Sequence, residues 1–194
     1  MLFRSIDNIA ARANGQILAV GLTPNLFQVD PLGDATAAIV ATFPSPITAI
    51  AGLTETSHDV FYVTAGNVTN TTIVATTATL SVWEVNMNGY TPQTGLVKPV
   101  KKIADFPEAR LLDGMTTLNP SEGLLLISDT VLGLVWSLNV NTGAKYQIIN
   151  IPDTQVISGV IPALGVNGIK YKNGYLYFTT SSQGIFVQIG RAHV

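Results

Sequence analysis

The chain has 194 residues, of which 47% are hydrophobic and only 11% charged, and its formal net charge is −2. An average domain carries roughly 25% charged residues, so this composition is typical of a well-packed globular protein. The weak acidity and the lack of a basic cluster argue against a nucleic-acid partner. No apolar run reaches the roughly 18 residues that a membrane-spanning helix needs, which argues against a membrane partner. The absence of cysteine excludes disulfides and thiol chemistry.

Both ends of the chain are expected to be non-native. Residues 189–194 match the translation of a common sequencing adapter, and residues 2–5 match the reverse complement of the same adapter. Two matches at opposite ends, related by strand reversal, are hard to explain by chance. We therefore set residues 1–5 and 189–194 aside, as for tags and scars. The expected natural segment is a single partial domain over residues 6–188, with a net charge near −4 once Arg4 and Arg191 are removed.

Short apolar runs punctuated by Gly, Pro, Asn and Asp predict antiparallel strands throughout the chain. The first unit, about 6–46, has predicted strands at 7–12, 16–20, 26–30 and 37–43. The second, about 47–107, has them at 47–53, 60–64, 80–86 and 97–105, with a Thr- and Asn-rich insertion at 66–79. The third, about 108–160, begins with the apolar run after 111 and continues at 124–128, 134–140 and 145–151. The fourth, about 165–188, has predicted strands at 167–172, 175–180 and 185–188.

The four units can be aligned by a short polar motif near the start of each. The aligned triplets are Asp7-Asn8-Ile9, Asp113-Gly114-Met115, Asn167-Gly168-Ile169 and, as a weaker match, Thr48-Ala49-Ile50. Units of four strands that recur every roughly 40 to 60 residues are typical of propeller blades. The predicted fold class is therefore all-β, a β-propeller. A β-sandwich is the alternative, but a sandwich has no reason to repeat a polar pair at every fourth strand.

With these residues in view, the chain resembles the six-bladed propellers of the gluconolactonase/regucalcin and strictosidine-synthase-like superfamily, in particular its fungal members. Three stretches carry the resemblance: IDNIAARANGQILAV (6–20), LLDGMTTLNPSEGLLLISDTVLGLVWSLNVNTG (111–143) and GVNGIKYKNGYLYFTTSSQGIF (165–186). Six blades need about 300 residues. The resemblance therefore implies an incomplete arc of about three and a half four-stranded blades out of six.

The resemblance also implies a site. In that family the first strand of each blade lines the central channel, and polar side chains from different blades hold a divalent cation at one mouth. Oxygen ligands of this kind suit Ca²⁺. The resemblance places Asp7 at the first acidic ligand, although Asp replaces the usual Glu, and Asn167 at the Asn ligand. Asp113 falls where members place a polar residue that touches substrate or metal-bound water. The last Asp ligand of the family would come from a later blade.

The implied function is hydrolysis of a lactone or ester, a small-molecule substrate, by a protein that is monomeric when full length. The metal would polarise the carbonyl, and Asp113 would orient or deprotonate the attacking water. Two alternatives stay open. One is a metal-free natural-product cyclase or strictosidine-synthase-like enzyme on the same fold, and the other is a non-enzymatic, secreted, ligand-binding propeller. The fragment alone is expected to be inactive.

Few other residues suggest chemistry. His58 lies in a polar turn, which is typical of a solvated side chain, and no nucleophile elbow accompanies it. Trp83 and Trp136 occupy matching third-strand positions, which favours packing between blades. Asn67-Val68-Thr69 and Asn70-Thr71-Thr72 form two adjacent glycosylation sequons in the insertion, so Asn67 and Asn70 are expected acceptors in a secreted eukaryotic protein.

Overall fold

The computed structural model describes residues 6–33, 37–69, 74–92, 95 and 100–190. The regular secondary structure of these residues is almost entirely β-strand, and the fold class is that of a β-propeller. The predicted fold class is thus confirmed. Residues 1–5, 70–73 and 191–194, together with the short stretches 34–36, 93–94 and 96–99, lie outside the described part.

Each blade is an antiparallel sheet in which strands that follow one another in sequence pair, except where a separate two-stranded ribbon is inserted in the second sheet. The first contains β1 (Asn8–Ala11), β2 (Ile17–Val20), β3 (Asn25–Val29) and β4 (Ala38–Thr42). The second contains β5 (Ala49–Ser57) and β6 (Val60–Gly66), then a separate ribbon of β7 (Val68–Thr69) and β8 (Val74–Ala75), then β9 (Ser81–Asn86) and β10 (Lys101–Asp105).

The other two sheets follow the same plan. The third contains β11 (Leu112–Asn119), β12 (Leu124–Asp129), β13 (Leu134–Asn139) and β14 (Lys145–Ile149), and a short 3-10 helix (Pro152–Thr154) follows it. The fourth is three-stranded, with β15 (Val166–Lys172), β16 (Tyr175–Thr180) and β17 (Ile185–Ile189). In the described part of the chain, no helix is long and apolar enough to cross a bilayer.

The chain divides into two compact units, residues 1–108 with the first two sheets and residues 109–194 with the last two. The first unit has its core between its two sheets. Apolar side chains of both sheets meet there: Leu18, Val20, Leu26 and Val40 from one, and Ile50, Leu53, Phe61, Val63 and Val85 from the other. Phe43, just after β4, packs edge-to-face on Trp83 of β9, with ring centroids 5.8 Å apart.

The second unit is built in the same way. Leu126 and Val135 of the third sheet pack against four side chains of the fourth, Val166, Ile169, Leu176 and Phe178. All of these side chains are buried, and apolar burial of this kind is the main force that holds one sheet on the next. In β16, alternate residues (Leu176, Phe178 and Thr180) are buried, a pattern that specifies the register of a strand.

Candidate functional site

The first strand of the third sheet carries a bulge at its start. Leu112 pairs with Asp129 and Met115 pairs with Ile127, so two residues of β11 lie opposite one residue of β12. The extra pair is Asp113-Gly114. A bulge re-aims the side chains it contains, and bulges are frequent next to functional sites.

The fourth sheet repeats this bulge in the same register. Val166 pairs with Thr180 and Ile169 pairs with Phe178, and the extra pair is Asn167-Gly168. The two Asx-Gly dipeptides that the sequence analysis aligned are therefore structurally equivalent. They lie at the start of the first strand of each sheet.

The second sheet shows where the sequence alignment was wrong. Ile50 pairs with Ala65 and Leu53 with Val63, so the bulge there holds Ala51-Gly52. The predicted equivalent, Thr48-Ala49-Ile50, lies three residues before Ala51-Gly52-Leu53, the triplet that corresponds to Asp113-Gly114-Met115. The reason is physical: β5 puts an alanine where the later blades have Asx, so the sequence offered no polar marker.

The first sheet lacks a bulge in its first pair of strands. Asn8 pairs with Val20 and Ile9 with Ala19, and Asp7, just before β1, donates its backbone N–H to the Val20 carbonyl at 2.9 Å. The Asp7 side chain is exposed. Asp7 belongs to the first unit, whereas Asp113 and Asn167 belong to the second.

Asp113 and Asn167 are oriented by equivalent hydroxyls. Both side chains are half-buried. Thr130 Oγ1 donates to Asp113 Oδ2 at 3.4 Å, and Asn167 Nδ2 donates to Ser181 Oγ at 3.3 Å. Thr130 and Ser181 each come directly after the last paired residue of the second strand, so the same local geometry is built twice.

Backbone contacts bring the two bulges together. Gly114 approaches the Asn167 carbonyl so closely that a Cβ at Gly114 would lie 2.3 Å from that oxygen. The buried Ser128 hydroxyl, opposite the Asp113-Gly114 bulge, lies 2.7 Å from the Asn167 carbonyl and 3.3 Å from the Gly114 carbonyl. Asp113 and Asn167 therefore start adjacent strands at the same end of the second unit.

The donor chemistry of these two residues fits a hard cation. Asp113 offers carboxylate oxygens, and because Asn167 Nδ2 is engaged by Ser181, the atom that Asn167 can offer a cation is Oδ1. Ca²⁺ takes six to eight oxygen ligands, including amides and water. Within the described ranges, no group of three or more His, Cys, Asp or Glu side chains could hold a metal ion. Any cation here would therefore depend on amide, backbone or water oxygens as well.

Sequence reasoning missed the buried polar residues behind the bulges. Ser128, Asp129 and Thr130 are all fully buried. The signal that could have found one of them is a repeat: a hydroxyl residue lies opposite each of the three bulges near the start of a first strand, as Thr64, Ser128 and Thr179. In the second sheet the Thr64 hydroxyl accepts the Gly52 N–H at 2.7 Å, so this hydroxyl satisfies backbone groups that the bulge frees.

The other residues singled out in the sequence lie away from the two bulges in sequence, and their exposure and hydrogen bonds are as follows. His58 is exposed in the turn between β5 and β6. Asn67 is half-buried beside Thr48, whose Oγ1 lies 3.4 Å from its Oδ1. Asn70 lies outside the described residues. Trp136 is buried, and its Nε1 donates to Asp129 Oδ2 at 3.4 Å.

No protein-family model and no curated protein matches this chain. Solved structures do match it. A gluconolactonase from Xanthomonas campestris is 13% identical, with a TM-score of 0.59, over 91% of this chain and 54% of that one. A catalytically inactive virginiamycin B lyase from Staphylococcus aureus, solved with quinupristin, is 15% identical, with a TM-score of 0.58, over 100% of this chain and 58% of that one. A protein of unknown function from Bacteroides thetaiotaomicron is 15% identical, with a TM-score of 0.64, over 97% of this chain and 42% of that one.

These likenesses show the fold class, a β-propeller, and no more, because all of the identities are low. The neighbours include a gluconolactonase and a lyase, so the scaffold is one that hosts both hydrolases and lyases. The chain spans only about half the length of these three proteins.

Proposed function

We propose that the chain is part of a six-bladed, gluconolactonase-like propeller hydrolase, of fungal type, that acts on a lactone or ester. One observation carries the proposal: a carboxylate and an amide, Asp113 and Asn167, occupy the same bulge position on adjacent first strands. The likeness to a gluconolactonase structure supports it.

Each residue has a role in this proposal. Asn167 Oδ1 would contribute a ligand to a divalent cation such as Ca²⁺. The chemistry that such a cation supplies when bound is Lewis-acid polarisation of the substrate carbonyl. Asp113 would accept a proton from the attacking water, and the Thr130 hydroxyl holds one of its carboxylate oxygens in place.

The activity test is hydrolysis of glucono-δ-lactone by the purified full-length protein, with acid release followed at constant pH. Asp113→Asn keeps the shape of the side chain and the contact with Thr130 but removes the basic oxygen. We expect the rate of this variant to fall at least about 100-fold, the usual contribution of a general base. Asp153→Asn, an exposed Asp in the same unit, is the matched control and should leave the rate unchanged. Equal rates for the two variants would contradict the role of Asp113.

A lyase is the second candidate, favoured by the likeness to virginiamycin B lyase. Hydrolysis adds one oxygen atom from water to the acid product, whereas elimination adds none. Turnover in water enriched in ¹⁸O, with mass analysis of the products, therefore separates the two reactions. A product without label would replace the hydrolase proposal with the lyase.

A further inference from the structure

A pocket lies at the other end of the first unit from Asp7. It has a volume of about 540 Å³ and is lined by Arg12, Asn14, Gln16, Gln28, Asp30, Ala38, Tyr90, Thr91 and Pro92. These residues come from the β1–β2 turn, the facing ends of β3 and β4, and the loop after β9. Small-molecule pockets have volumes of roughly 300 to 1,000 Å³, so this one is large enough for a small ligand.

Gln28 is the residue that marks this pocket as a built site. Its side chain is only 7% exposed, and its Oε1 accepts a hydrogen bond from Arg12 Nη1 at 2.7 Å. Within the described part of the chain, its Nε2 donates to no residue. Because Oε1 is held by Arg12, the group that Gln28 offers to the pocket is its NH₂. Because Gln28 lines the pocket, a ligand that accepts a hydrogen bond can pair with this NH₂.

Arg12 is itself fixed. Its Nε and Nη2 donate to the two carboxylate oxygens of Asp59 at 2.9 and 2.6 Å, and its guanidinium lies 5.8 Å from the centre of the Tyr90 ring. The side chain of Arg12 is 3% exposed. The Asp59 carboxylate therefore offsets its charge, and Arg12 acts as a rigid support for Gln28 rather than as an anion receptor.

The chemistry of the lining defines the ligand class. Asn14, Gln16 and Gln28 present amides, and Asp30 carries the one charge of the lining that no described ion pair offsets. An anionic ligand would meet this carboxylate. Burial raises the pKa of the Tyr90 phenol, which therefore stays a neutral hydroxyl beside an aromatic surface. Hydroxyl groups both donate and accept, so they match amides and a carboxylate together.

We infer that this pocket binds an uncharged, polyhydroxylated small molecule of the mono- or disaccharide class, with the Gln28 amide as its central donor. The site is separate from the Asp113–Asn167 position, and the inference does not depend on the hydrolase proposal.

Ligand-observed NMR by saturation transfer tests this on the purified protein. The probes are glucose, galactose, mannose, N-acetylglucosamine and cellobiose, with glucose 6-phosphate as the anionic counterpart, and calorimetry gives the affinity of any binder. We expect saturable binding of at least one neutral sugar. Absence of binding by all five neutral sugars, or tighter binding of glucose 6-phosphate than of glucose, would overturn the inference.

Variants locate the binding. Gln28→Glu keeps an oxygen for Arg12 but removes the NH₂ donors, so the affinity should fall about tenfold or more, the effect of one lost hydrogen bond. Gln147→Glu, the same change at an exposed position of β14, should bind as the wild type does. If Gln28→Glu does not fold, Gln16→Ala at the pocket rim replaces it and should also weaken binding. If a folded pocket variant bound the sugar with unchanged affinity, the sugar would bind outside this pocket and the inference would be wrong.

Discussion

At the scale of single residues, Asp129 is the main polar support of the second unit. It is fully buried, and its carboxylate accepts the backbone N–H groups of Arg110, Leu111 and Leu132 at 2.9 to 3.1 Å. These donors belong to the segment before β11 and to the β12–β13 turn. Asp129 thus holds in place both the segment that leads into the Asp113 bulge and the turn that follows β12.

Replacement of Asp129 by alanine should therefore destabilise the protein strongly. Each buried donor that loses its partner costs about 1 to 3 kcal/mol, so we expect a loss of about 3 kcal/mol or more in the free energy of unfolding. Urea denaturation followed by tryptophan fluorescence measures it. Asp153→Ala, at an exposed position, should change stability by no more than about 0.5 kcal/mol. A similar small effect for both variants would show that Asp129 is not a structural support.

The pair of Arg12 and Asp59 predicts how stability depends on pH. The hydrogen bond from Arg12 is the main cause that lowers the pKa of the Asp59 carboxyl below 3.8, against the opposing effect of burial. A carboxyl whose pKa is lower in the folded state stabilises the fold fully above its unfolded pKa. This stabilisation is lost as the pH falls through the lower, folded pKa.

Asp59→Asn tests this dependence. Asp59 has a positive φ of 57°, which Asn tolerates, so the backbone is not strained by the change. We expect a loss of about 3 kcal/mol near pH 7, because Arg12 becomes a buried charge without its partner. Unfolding measured between about pH 5 and pH 2 should show a gap between wild type and variant that narrows as the pH falls. A gap that stays constant with pH would contradict the assignment.

At this scale, the sequence was sufficient to predict polar residues that are exposed or that recur from one unit to the next. The Asx-Gly dipeptides at 113 and 167 were predicted as a pair, and their bulges are equivalent. The burial of Asp129 and the half-burial of Asp59 could not be predicted, because the sequence shows each only as one of several polar residues in a turn. Their burial is decided by neighbouring strands and turns that are distant in sequence.

At the scale of strands, the close approach of Gly114 to the Asn167 carbonyl is the contact that sets the site. A Cβ at Gly114 would lie 2.3 Å from this carbonyl oxygen and 3.0 Å from the Ile169 nitrogen, both of them backbone atoms. Gly114→Ala should therefore cost about 1 to 3 kcal/mol, as overpacking does. It should also displace Asn167 from Asp113.

Gly168→Ala provides the matched comparison. It changes the equivalent bulge glycine, but an added Cβ there meets only the Thr179 hydroxyl, at 3.4 Å, and Gly168 is exposed. We expect its melting temperature to stay close to that of the wild type, whereas that of Gly114→Ala falls by several degrees. Calorimetric melting of both variants measures the difference. Equal melting temperatures would show that the approach of the two strands is not tight.

The strands themselves were predictable from the apolar runs and turn residues. Predicted strands at 175–180 and 124–128 differ from β16 and β12 by no more than one residue. The start of β5 was less predictable: the prediction was 47–53, and the strand is Ala49–Ser57. The polar end of β5 reads as a turn in the sequence, yet it pairs with β6 through a second irregularity between Glu55 and Ser57.

At the scale of the whole molecule, we propose that the protein is secreted and glycosylated at Asn67 and Asn70. Expression through a yeast secretory pathway tests this. Digestion with an endoglycosidase that removes N-glycans should increase the gel mobility. Asn67→Gln and Asn70→Gln should each reduce the mobility shift by the contribution of one glycan. No shift for the secreted wild-type protein would contradict the proposal.

The central claim is that Asn167 provides an oxygen ligand to a divalent cation at the site where Asp113 acts as the base. Calorimetric titration of Ca²⁺ into the purified full-length protein tests it most directly, with Asn167→Ala and, as a control, Asn150→Ala at an exposed position of the same unit. We predict saturable Ca²⁺ binding that is retained in Asn150→Ala and lost in Asn167→Ala. Absence of saturable binding in the wild type, or equal binding by Asn167→Ala, would contradict the claim.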